Sequence, residues 1–130
     1  MREICCDKVV KSSNPLVQGI RHGDFLFLSG QLGRNPETNK LEEGFEKQTR
    51  RTLENLKLIL ESEGASMKDV LKTTIYVKDI TKVGLLNPIY TEYFHQKPVP
   101  ARSCVEISGL AGDAEVEIEL IAAAPAAEAR

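Results

Sequence analysis

The chain has 130 residues, of which 17 are basic and 19 acidic, for a net charge of −2 at pH 7. That length predicts one domain, and the balanced charge offers no electrostatic footprint for a nucleic acid or a membrane surface. No stretch reaches the roughly 18 apolar residues of a membrane span, and "MREICCDKVV" lacks the apolar run of a secretory signal, so a cytoplasmic protein is expected.

In chain order, "LVQGIR" (16–21) and "DFLFLSG" (24–30) read as two strands joined by a His22-Gly23 turn. "RNPETNK" supplies the next turn. Phe45, Thr49, Leu53, Leu56 and Leu60 recur at helical spacing and Gly64 stands just past them, which predicts a helix over 45–63. "VLKTTIYVKD" (70–79) is β-branched and aromatic enough for a strand. A second helix is expected to begin with Asn87 as cap and Pro88 at its first position, burying Ile89, Tyr90, Tyr93 and Phe94, with a further turn before it over 81–86. "ARSCVEI" (101–107) and "EVEIELIA" (115–122) are the last strands, and the alanine-rich end is expected to fray after Pro125. This order predicts a single α+β domain over 1–130, a mixed sheet with two helices packed on one face.

Cys5, Cys6 and Cys104 show no C-x-x-C spacing, and reduced thiols are expected. His22 and His95 have no partner at metal-ligand spacing, and the glycine-rich nucleotide loops and G-x-S-x-G are missing, so neither a zinc site nor nucleotide, dinucleotide or serine-hydrolase chemistry is expected. Phe25 and Phe27, like the aromatic residues of the second helix, are read as core or subunit interface.

The stretch "PVPARSCVEI" sets an arginine and a cysteine two residues apart inside a strand. Alternation turns Arg102, Cys104 and Glu106 to one face, and Glu115, Glu117 and Glu119 to one face of the last strand. Joined as an antiparallel hairpin through "SGLAGDA", the two strands would bring Cys104 opposite Glu117, and Arg102 opposite Glu119. On a solvated face such charges need no function; under a neighbouring subunit, the arginine suits a substrate carboxylate and a desolvated glutamate suits proton transfer. Cys104, with no histidine nearby in sequence, reads as a packed thiol or a backbone contributor ahead of a nucleophile.

"PVPARSCVEISGLAGDAEVEIELIA" resembles the C-terminal signature of the Rid (reactive intermediate deaminase) family, also called the YjgF family. "NPLVQGIRHGDFLFLSGQLGRNPETNK", "VLKTTIYVKDI" and "NPIYTEYF" resemble its other parts. The resemblance implies a chorismate-mutase-like fold, a homotrimer with clefts between subunits, and cofactor-free hydrolysis of enamines and imines such as 2-aminoacrylate to 2-keto acids and ammonia. It implies further that Arg102 clamps the substrate carboxylate, that backbone groups at Cys104 hold substrate or water, and that Glu117 positions the attacking water and relays its proton. Ser29, Gly30 and Asn87 would line the same cleft. The chain departs from the pattern at Leu16, where the deaminase branch carries a tyrosine in its G-P-Y-V-Q-G segment. Two other readings stay open: a ligand-sensing or chaperone-like trimer without turnover, and, with less support from so few basic or aromatic tracts, an RNA-cleaving translation inhibitor.

Overall fold

The computed structural model describes residues 1–126, and the end of the alanine-rich tail lies outside them. Six strands form one sheet: β1 (Arg2–Ile4), β2 (Gly19–His22), β3 (Phe25–Leu32), β4 (Val70–Val77), β5 (Ala101–Glu106) and β6 (Val116–Ala123). Their order across the sheet is β1-β2-β3-β6-β4-β5, antiparallel except for the parallel pair β4 and β5. Helices α1 (Phe45–Ser62) and α2 (Val83–Tyr93) pack together on one face. Neither helix is long and apolar enough to cross a membrane.

The core lies between that face and the helices. Val116, Ile118, Leu120 and Ala122 of β6 are buried at every second position, which makes β6 the centre of the sheet. Leu53, Leu56, Ile59 and Leu60 of α1 are fully buried against it, each contributing about 1.5–3 kcal/mol by leaving water. α1 ends as expected: Gly64 adopts φ +76° and the Ala65 N–H returns to the Leu60 carbonyl at 3.0 Å.

Two expectations are corrected. β5 and β6 do not form a hairpin, because β4 lies between them; Cys104 pairs with Ile75, and Glu117 with Tyr76 and Leu32. The chain returns through α2 after β4, so β5 joins the edge in parallel, and β6 then enters the centre, paired with β3 on one edge and β4 on the other. α2 begins at Val83, not at Asn87, and Pro88 lies within it. A 3-10 turn over Ile80–Lys82, with Asp79 accepting the Thr81 N–H at 3.0 Å, supplies the start. Proline removes the bond to the carbonyl four residues back; that residue is Gly84, which is exposed and offers no side chain to crowd the ring.

The opposite face of the sheet carries no helix among the described residues. Phe25 and Phe27, 45% and 42% exposed, stand there with ring centroids 6.2 Å apart, so they are not core residues. Tyr76, Glu117, Glu119 and Ile121 continue this bare face by register.

Candidate functional site

Arg102 and Cys104 lie on the edge strand β5, paired with Thr73 and Ile75 of β4. Those partners are buried toward the helices, so Arg102 and Cys104 share the helix side. Glu117 lies two strands away on the bare side. Within one chain the two residues therefore sit on opposite faces of the sheet, contrary to the shared polar face expected from alternation. Alternation fixes which residues of a strand share a face; it does not say which strand is the neighbour.

The Arg102 guanidinium lies over the Tyr90 ring of α2, with Cζ 4.7 Å from the centroid, and forms no ion pair among the described residues. Tyr90 is buried, and its hydroxyl is 2.8 Å from the hydroxyl of the fully buried Thr73. Burial pushes the Tyr90 phenol up, against a downward pull from Thr73 and Arg102. The Cys104 thiol is likewise pushed up by burial, with Arg102 pulling it part of the way back. A thiol held protonated is a poor nucleophile.

Glu117 sits over a β-bulge. Between Leu28 and Gln31, β3 takes three steps where β6 takes two, from Leu120 to Ile118, and the extra length falls on Ser29 and Gly30. A methyl group added at Gly30 would stand 2.7 Å from Glu117 Cδ and 2.9 Å from its Cγ, so this glycine makes room for the carboxylate. The Ser29 hydroxyl donates to the Val17 carbonyl at 2.7 Å, which ties the bulge to the segment before β2. Half-buried, Glu117 has its carboxyl pushed up, first by burial and then by the neighbouring Glu119. Glu119 accepts the Tyr76 hydroxyl at 2.9 Å, a bond that also pushes the Tyr76 phenol up.

The remaining two candidates are exposed. Leu16, 52% exposed, precedes β2, and Asn87 lies on the outer side of α2. The structure thus gathers Ser29, Gly30 and Glu117 in one place and Arg102 with Cys104 in another. Sequence reasoning missed Tyr90 and Thr73 as the support of Arg102. The available signal was Thr73 itself, a hydroxyl among the inward positions Thr73, Ile75 and Val77 of β4.

A cavity of about 400 Å³ on the helix side, lined by Glu42, Lys47, Arg50, Arg51, Glu54 and Tyr93, contains none of these residues. Most of its polar groups have partners: Arg51 pairs with Glu42 at 3.1 Å, Arg50 with Glu92 outside the cavity at 2.7 Å, and the Tyr93 hydroxyl donates to Glu54 at 2.8 Å. Burial and Glu54 together push that phenol up to about 12.

The bulge gives a first test. Gly30→Ala is expected to turn the Glu117 carboxylate out toward water and bring its pKa back toward the ordinary range, while leaving the fold intact. An NMR titration of the Glu117 side-chain carboxyl carbon reads this directly; an unchanged titration would show that Glu117 does not depend on the space at Gly30.

Comparison with known proteins draws these observations together. The family described as Endoribonuclease L-PSP matches residues 6–124. A RutC family protein of Aquifex aeolicus is 45% identical over 123 residues, covering 94% of this chain and 98% of that protein. The 2-iminobutanoate/2-iminopropanoate deaminase of Salmonella typhimurium is 37% identical over 123 residues, covering 93% of this chain and 96% of that protein. The structure of Escherichia coli TdcF with bound serine superposes with a TM-score of 0.90 at 31% identity, covering 96% of this chain and all of that one, at 100%. Matched along nearly its whole length in sequence and in fold, the chain belongs to the Endoribonuclease L-PSP family, which is the YjgF or Rid family.

Proposed function

We propose that the chain is an imine deaminase: it hydrolyses reactive enamines and imines of small 2-amino acids, such as 2-aminoacrylate, to 2-keto acids and ammonia, in clefts completed between copies of the chain in a homotrimer. The observation that carries this reading is Arg102, a guanidinium on the sheet edge, supported by an aromatic ring and, among the described residues, not neutralised by a carboxylate. Such a group is free to hold a substrate carboxylate through two parallel N–H···O bonds. The 37% identity to a 2-iminobutanoate/2-iminopropanoate deaminase supports the reaction. The serine bound to TdcF carries the same α-carboxylate.

The chemistry asks for little else. An enamine takes a proton on carbon to become the imine, whose carbon is already electrophilic. Water adds to that carbon, its proton passes through a base to the nitrogen, and the carbinolamine collapses to the keto acid and ammonia. Glu117, with its carboxyl held above the ordinary range, suits the proton relay because its affinity for a proton lies nearer neutrality. Backbone groups of β5 at Cys104 would hold the water or the adduct, and Ser29, Gly30 and Asn87 would line the cleft. Since Arg102 and Glu117 lie on opposite faces of one sheet, a cleft that uses both is most simply built from two chains. The bare face with its exposed Phe25 and Phe27 supports such an assembly.

Leu16 favours a second reading, in which the same cleft binds 2-keto acids without turnover, because a leucine packs over a ligand and donates no hydrogen bond. The test generates 2-aminoacrylate in place with a serine dehydratase and follows pyruvate release against semicarbazide as a competing trap. The deaminase accelerates release and lowers semicarbazide capture. A protein that binds pyruvate in calorimetry and leaves the rate at its spontaneous value is the sensor. RNA cleavage finds no support in the histidines, since His22 ends β2 and His95 follows α2, each exposed.

A further inference from the structure

We propose that Tyr90 is the positioning residue for the carboxylate clamp: pinned at its hydroxyl by Thr73 and flanked by Phe94, its ring holds the Arg102 guanidinium in the orientation that receives the substrate. This rests on the deaminase reading and names the support of that same site. Arg102 is exposed on an edge strand, where a long side chain is free to sample many rotamers. The ring beneath it is not free. Tyr90 is 5% exposed, its hydroxyl lies 2.8 Å from that of Thr73, itself wholly buried, and its ring centroid is 4.6 Å from that of Phe94.

The attraction of a cation to a ring face corresponds to roughly 2- to 30-fold in the population of the held orientation. A ring also does what a carboxylate partner would not. A carboxylate would occupy the N–H donors and cancel the charge that the substrate needs. A ring contact at Cζ cancels none of the guanidinium's charge and puts no carboxylate on its N–H donors, so both stay available to the ligand. The same clamp acts on bound substrate and on the tetrahedral adduct, because the carboxylate does not react. Loss of the ring's attraction therefore belongs in KM more than in kcat.

Fluorination separates this role from packing. Tyr90→Phe keeps the ring and its negative face; pentafluorophenylalanine at the same position keeps the ring's outline and reverses that face. Pyruvate release from 2-aminoacrylate is measured for both, with thermal unfolding alongside. Tyr90→Phe, which loses the Thr73 contact and keeps the electron-rich face, is expected to raise KM by about 2- to 3-fold, and the fluorinated ring to raise it about 10-fold beyond Tyr90→Phe, with kcat within about 2-fold. Tyr90→Leu, which stays apolar and has no ring face, gives the same readout by a second route should the fluorinated protein not fold. Equal KM values with and without the electron-rich face, in a protein that turns over, remove the role of Tyr90 alone. A wild type that neither accelerates release nor binds pyruvate removes the clamp itself, and the role of Tyr90 with it.

Discussion

Arg102→Ala is expected to lower kcat/KM for 2-aminoacrylate by about 10²- to 10⁴-fold, the loss of two charge-assisted hydrogen bonds at about 1.5–3 kcal/mol each. The loss should appear chiefly as a rise in KM, and calorimetric binding of pyruvate should vanish with it. Stability is not at stake to the same degree. Arg102 is exposed and forms no ion pair among the described residues, so the variant forfeits its contact with Tyr90 and its pull on the Cys104 thiol. A melting temperature within a few degrees of wild type, about 1 kcal/mol or less in a domain of this size, is the expected accompaniment. Arg102→Ala that turned over 2-aminoacrylate as fast as wild type would end the clamp assignment. Arg102→Lys should recover part of the binding, since it restores the charge but not the planar fork.

Glu117→Gln separates chemistry from binding in the opposite sense. It is expected to reduce kcat by about 10²- to 10⁴-fold, the usual worth of a positioned base, with little change in KM. The wild-type rate should fall as pH is lowered through the raised Glu117 pKa, at a higher pH than an ordinary carboxylate would give, and the variant should lack that limb. The neighbours that bear on this titration are Glu119 on β6 and Tyr76 on β4. Stability carries an independent sign. A carboxyl whose pKa is raised on folding holds more protons in the folded than in the unfolded chain, so its contribution is present below the unfolded pKa and is lost as pH rises through the folded one. At neutral pH the ionised Glu117 therefore costs stability, and the glutamine variant should be no less stable than wild type, an advantage that shrinks in acid. Denaturant unfolding of both proteins at pH 7 and at acid pH measures it. A variant that lost stability at pH 7 would show Glu117 to be a structural partner.

Much of the fold was legible because its signals are local. The periodicity of Phe45, Thr49, Leu53, Leu56 and Leu60 reports a helix wherever the rest of the chain lies, and the alternation of Val116, Ile118, Leu120 and Ala122 reports a strand with one buried face. The neighbours of that strand are not local information. β6 pairs with β3 and β4, distant in sequence, and not with β5, from which a short connection separates it. From that one misplacement followed the expectation that Arg102 and Glu117 share a face. The start of α2 was hidden for a related reason. Proline after asparagine is a strong signal for a helix start, and here a 3-10 turn and an exposed Gly84 let the helix begin earlier and run through it. Tyr90 looked like an ordinary core residue, and as far as burial goes it is one. Only its contacts to Thr73 and Arg102 distinguish it, and those depend on β4 and β5 lying side by side.

The bulge at Ser29 and Gly30 has an arithmetical meaning for how this chain can vary. A strand keeps count modulo two, and one surplus residue changes the parity of all that follows. Upstream of the bulge Leu26 and Leu28 face the helices; downstream the turn goes to Gln31, beside Ile118, while Leu32 falls beside Glu117. Loss of the surplus residue would iron the bulge out and still leave Gln31 beside Ile118, whereas loss of one residue from the regular ladder on either side would act as a frameshift acts on a reading frame, sending each later side chain of β3 to the wrong face. The turn that follows, over 33–44, is under no such count, and insertions or deletions there leave the parity intact. At the bulge itself a one-residue loss thus keeps the frame, and what it forfeits is the room that Gly30 makes for Glu117.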